Sequence, residues 1–142
     1  MLKTVGIVLA IVLALGQTGE RAPTPRKHAL WAAISVEQPI IARNTETTQV
    51  YFGLVNDGDS TVDPKVELSH LLINGVEPKD WSFVIGNGLR NPSFNALPPG
   101  HSWLFTYQLG RYFLAPGVYT VRWESDNFRS PDLTFRVVKS LQ

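Results

Sequence analysis

From Leu30 onward, apolar and polar residues alternate with a period of two, the pattern of strands that bury one face. Leu30, Ala32, Ile34 and Val36 share one face of a first strand, with Trp31, Ser35 and Glu37 on the other. Pro39 marks a break, and Ile40-Ile41 is expected to continue the same edge beyond a kink. Val50, Phe52 and Leu54 line a second strand over 47–55, closed by Asn56-Asp57-Gly58-Asp59, where asparagine and glycine tolerate positive φ. A third strand is predicted over 65–73, stopped by the turn dipeptide Asn74-Gly75. Trp81, Phe83 and Ile85 alternate in a short fourth strand before Gly86-Asn87-Gly88. An irregular crossing over 89–100 follows. Trp103, Phe105 and Tyr107 then share a face of the fifth strand, Tyr119, Val121 and Trp123 of the sixth, and Leu133, Phe135 and Val137 of the last.

The most specific local signal is Leu-Ala-Pro-Gly-Val-Tyr-Thr-Val-Arg-Trp over 114–123. The Pro116-Gly117 turn delivers the chain into a strand whose first inward residue is Tyr119. This arrangement resembles the tyrosine corner of Greek-key sandwiches, where the hydroxyl returns to an upstream backbone group. A plain core tyrosine is the alternative. Short strands at this spacing, without a helical segment among them, predict an all-β, immunoglobulin-like antiparallel sandwich of about seven strands over 29–142.

The first residues follow another rule. Met1-Leu2-Lys3 is a short positive start, and 4–15 is uncharged and almost wholly apolar. Ala14 and Gly16 stand at the minus three and minus one positions for a cut before Gln17, so a signal-peptide helix is expected over 1–16. The apolar run is shorter than the ~20 residues of a spanning helix, although an uncleaved anchor is the rival reading. Residues 17–28, polar and proline-containing, read as a flexible spacer. The expected location is therefore secreted or periplasmic, with no membrane attachment once the signal is cut.

Composition narrows the function classes. The chain carries 13 basic and 12 acidic residues, and Lys3 lies in the expected signal, so the mature part is formally neutral. No basic stripe for a nucleic acid is expected. With no cysteine, disulfides, thiol chemistry and cysteine zinc sites are excluded.

Three features together resemble bacterial secreted immunoglobulin-like domains of the adhesion type. They are Leu-Val-Asn-Asp-Gly-Asp ending the second strand, Leu-Pro-Pro-Gly-His-Ser-Trp-Leu-Phe entering the fifth, and Pro-Gly-Val-Tyr-Thr-Val-Arg-Trp. Their order is also similar, more distantly, to the sandwich of the intracellular proteinase inhibitors of bacilli. The resemblance implies an architecture and names no ligand.

Reactive constellations are hard to build. His28, His70 and His101 are far apart in sequence and supply no zinc spacing. The nucleophile elbow Gly-x-Ser-x-Gly is missing, and Glu37, Glu67, Glu77 and Glu124 read as solvated charge. Asp57, Asp59, Thr61 and Asp63 alternate as a calcium loop might, but Val62 holds the glycine position and Leu68 the final glutamate position. No cofactor and no metal are expected, and no catalytic residue is assigned.

Aromatics offer the remaining opening. Trp31 and Tyr51 point outward from neighbouring strands, while Phe94, Tyr112 and Phe113 belong to loops. Phe94, Tyr112 and Phe113 are the candidate partner-binding residues, with core capping as their alternative; Pro116, Gly117 and Tyr119 form the structural corner. The expectation is a non-catalytic interaction module that binds a protein, or a glycan, in the bacterial envelope or exterior. A secreted proteinase inhibitor acting through 89–95, or an enzyme of unrecognised type, are the rivals.

Overall fold

Alternation in the sequence becomes strand in seven segments of the computed structural model, which describes residues 29–42, 47–87 and 91–139. The strands are β1 (Leu30–Val36), β2 (Ile40–Ala42), β3 (Gln49–Asn56), β4 (His70–Ile73), β5 (Ser102–Gln108), β6 (Gly117–Glu124) and β7 (Leu133–Val138). They form two layers, a three-stranded sheet β1-β3-β5 and a four-stranded sheet β2-β7-β6-β4. All pairs are antiparallel except β2 with β7, which run parallel. The fold is an immunoglobulin-like β-sandwich. The expected signal over 1–16, the spacer over 17–28 and His28 lie outside the described residues.

The core is the space between the layers. Leu30, Ala32, Ile34, Val50, Phe52 and Leu54 enter it from one sheet, and Leu71, Val121, Trp123, Phe135 and Val137 from the other. Phe52 is its centre. Its ring stacks on Phe105 at 5.1 Å and meets Trp123 edge-on at 5.1 Å.

Four expectations need correction. Residues 81–86 form a helix, α1 (Trp81–Gly86), instead of a fourth strand. Trp81 and Ile85 are buried while Phe83 is 69% exposed, so the spacing that matters is i, i+4, which a period of two also contains. The third strand is shorter than expected: Val66–Leu68 is a 3-10 turn, and pairing starts only at His70. Ile40-Ile41 does not prolong the edge of β1, because after Pro39 the chain crosses to the other sheet and pairs with Arg136 and Val137. Finally, the turn after β3 is made by a side chain and not by positive φ. The Asn56 amide donates to the Ser60 and Leu97 carbonyls at 2.8 and 2.9 Å, and its Oδ1 accepts from the Gly58 amide at 2.9 Å. Gly58 is required by contact, since a Cβ there would lie 2.4 Å from that of Ala29.

Two buried tryptophans are satisfied by one serine. Trp81 Nε1 donates to the Ser69 carbonyl at 2.8 Å, and Trp123 Nε1 donates to Ser69 Oγ at 2.9 Å. Ser69 is itself buried, at the break between the 3-10 turn and β4. This pays the desolvation of both indoles and pins α1 against the four-stranded sheet.

Candidate functional site

The loop aromatics are occupied. Phe113 is fully buried, packed edge-on against Phe135 at 4.9 Å and Tyr119 at 5.2 Å. A 3-10 turn over Gly110–Tyr112 aims it inward, so its expected place on a partner surface is corrected to the core. Phe94 is half-buried and rests on Trp103 with centroids 4.0 Å apart, which caps the core beside β5. Residues 89–90 of the expected inhibitor loop lie outside the described residues.

Tyr112 is half-buried and belongs to a clamp. Its hydroxyl donates to Asp80 Oδ1 at 2.7 Å, and Arg111 Nη2 donates to Asp80 Oδ2 at 2.7 Å. Asp80 precedes α1, so the clamp ties the 110–113 turn to that helix. The Tyr112 hydrogen bond, helped by the Arg111 charge, holds the Asp80 carboxyl below its usual range. Burial and the same carboxylate push the Tyr112 phenol up.

At the corner, Tyr119 donates to the Ala115 carbonyl at 2.7 Å, across the Pro116-Gly117 turn. In the 57–63 turn, Asp63 Oδ1 accepts the Lys65 amide at 2.9 Å. His70 faces Glu77 at 3.1 Å on the surface, and His101 Nδ1 lies 3.0 Å from the Pro99 carbonyl. Among the described residues, no three His, Asp or Glu side chains gather as a metal set would. No described helix is long and apolar enough to cross a membrane.

Free apolar surface lies elsewhere, on the outside of the three-stranded sheet. The register puts Trp31, Val55 and Ser102 in one cross-strand row, Ala33, Gly53 and Leu104 in the next, and Ser35, Tyr51 and Thr106 in the third. None of these nine side chains is charged. Trp31 is 65% exposed and Leu104 85%. Gly53 keeps the middle flat: a Cβ there would come 3.3 Å from Leu104 Cδ2, so the leucine leans across the glycine. Tyr51 donates to Glu37 Oε1 at 2.9 Å, and that bond to the carboxylate holds its phenol above the ordinary value. Trp31 and Tyr51 were readable as outward aromatics. Leu104, Val55 and the absence of charge were missed, although the alternate positions of β1, β3 and β5 carried that signal.

No protein-family model matches this chain, and no curated protein does. Among solved structures it is similar to the solution NMR structure of the CARDB domain of PF1109 from Pyrococcus furiosus. The two are 16% identical over 80% of this chain and 96% of that one, with a TM-score of 0.44.

The outside of the four-stranded sheet is built differently. Glu124 Oε2 lies 3.0 Å from Arg122 Nε and 2.8 Å from Arg129 Nε, and Arg122 Nη1 reaches Asp132 at 3.4 Å. Thr120, Thr134 and Arg136 extend this charged face, on which the exposed Val118 and Ile40 flank Arg136 and the half-buried Leu72 lies beside Arg122.

Proposed function

We propose that this protein is an exported, non-catalytic interaction module that binds another protein through the outer face of its three-stranded sheet. One observation carries the reading: three successive cross-strand rows expose a tryptophan, a leucine, a valine and a tyrosine without a single charge among them. Depletion of charge around aromatic anchors is the compositional mark of an interface centre. The partner that fits presents an uncharged, apolar patch, because a charged one would be desolvated against groups unable to pair with it. Export rests on the signal pattern over 1–16, and an envelope or exterior partner follows from it.

The test is capture from the source organism's envelope fraction by the wild-type chain and by Val55→Lys. The expected result is a protein held by the first and lost by the second, with both variants melting together. Equal capture by both would refute this face as the site.

A further inference from the structure

We infer that a second copy of this chain pairs with the β5 edge, joining two three-stranded sheets into one six-stranded sheet. The direction of the backbone groups along β5 leaves one of its edges open. Asn56 N donates to the His101 carbonyl at 3.0 Å, and Leu109 N donates to the Thr48 carbonyl at 3.0 Å. These bonds bracket β5 and share the register of its pairing with β3. Hydrogen-bonded pairs alternate in an antiparallel ladder, so Trp103, Phe105 and Tyr107 direct their amides and carbonyls to β3. Ser102, Leu104, Thr106 and Gln108 therefore direct theirs to the free edge, where no further strand lies among the described residues.

Such an edge is normally blunted by a charge, a proline, a bulge or shortness. The edges of the other sheet are short, with three residues in β2 and four in β4. The β5 edge has seven residues, no charge and no proline. β1 is equally long and uncharged, but its inward side chains Leu30, Ala32 and Ile34 are already buried. On β5 all three inward aromatics remain half-buried. The edge thus lacks a backbone partner and, beyond the Phe94 ring on Trp103 and Phe105, further cover for its rings.

A second β5 supplies both. Antiparallel pairing about Phe105 sets Leu104 against Thr106 of the other copy and Ser102 against Gln108, so every edge-directed residue meets an edge-directed residue. Trp103 then lies opposite Tyr107, and Phe105 opposite itself, as favourable aromatic cross-strand pairs. The arrangement is isologous and sets no like charges against each other. It also makes the uncharged outer faces of the two copies continuous, without using Trp31 or Val55.

Sedimentation of the full chain, with Leu104→Lys and the double variant Leu104→Cys/Thr106→Cys, tests this. Leu104 and Thr106 are exposed, so the monomer fold tolerates the changes. The wild type should sediment at twice the 15.8 kDa chain mass and Leu104→Lys at the single mass, with equal melting temperatures once both are diluted below the dimer Kd. The chain has no cysteine of its own. The Cα atoms of a hydrogen-bonded antiparallel pair are roughly 5.5 Å apart, within disulfide range, so oxidation should give a covalent dimer that reductant reverses. A wild-type monomer at about 100 μM, well above the micromolar Kd of a modest interface, would overturn the inference. So would a dimer that survives Leu104→Lys, since association through the N-terminal apolar run would not respond to that change. Failure here leaves the Val55→Lys capture result untouched, so the two readings fall separately.

Discussion

The two outer faces of this sandwich share a backbone geometry and differ in what covers it. On the four-stranded side, Arg122, Glu124, Arg129 and Asp132 form a connected set of ion pairs, with Arg136 beyond. On the three-stranded side, Trp31, Val55, Leu104 and Tyr51 stand in solvent among serine, threonine, alanine and glycine. Folding requires only that one side of each sheet be apolar. The four-stranded sheet meets that requirement and sets charge among the apolar residues of its other side, with Arg136 between exposed Val118 and Ile40 and Arg122 beside Leu72. The three-stranded sheet leaves three rows of its outer side uncharged with Trp31, Val55, Leu104 and Tyr51 exposed, which the core does not need and an interface does.

Changes on the two faces should then have separable effects. The largest is expected for Trp31→Ala, which removes the aromatic anchor: about 2 kcal/mol of partner binding, or roughly 30-fold in Kd by titration calorimetry, at unchanged melting temperature. Next comes Glu124→Gln, which takes the shared carboxylate charge from Arg122 and Arg129. It should cost about 1 kcal/mol of folding stability by denaturant titration, less in high salt, and leave partner binding intact. At the corner, Tyr119→Phe should cost on the order of 1 kcal/mol in the same assay through loss of the Ala115 bond, again with binding intact.

The smallest effect belongs to the Asp80 clamp, away from both sheet faces. Its carboxyl is depressed in the fold, so its contribution is present above the unfolded value of about 3.9 and is lost as pH falls through the lower folded value. The Tyr112 phenol is raised, so its contribution holds below about pH 10 and fades as pH climbs through the raised value. Asp80→Asn should cost about 0.5 kcal/mol at pH 7, the scale of an exposed pair, and almost nothing at pH 2. Melting curves at the two pH values read the difference.

Much of the fold was legible because the core-facing residues of β1, β3, β6 and β7 alternate without interruption. Leu30, Phe52, Val121 and Phe135 lie inside as their period requires. The helix was not legible: Trp81 and Ile85 fit both periods, the apolar Phe83 between them completes a period of two, and only its exposure decides for the helix. Nor was the sheet change at Pro39, because Ile40-Ile41 has no alternation to show which layer it joins. The site was half legible. Phe113 drew attention as a loop aromatic, but the inward aim of a loop residue depends on the local turn, here the 3-10 turn over Gly110–Tyr112. The sheet face could be assembled only with the register, since Trp31, Val55 and Ser102 are far apart in sequence and adjacent in one row.

The most direct measurement places the same substitution on each face. Val55→Lys and Thr134→Lys both put an ammonium at an exposed strand position, one among uncharged neighbours and one on the polar side. Each is titrated against the captured partner, with melting temperature as the check on folding. Val55→Lys is expected to lose at least ~10-fold in affinity and Thr134→Lys to lose none. Equal affinities, or a loss confined to Thr134→Lys, would contradict it.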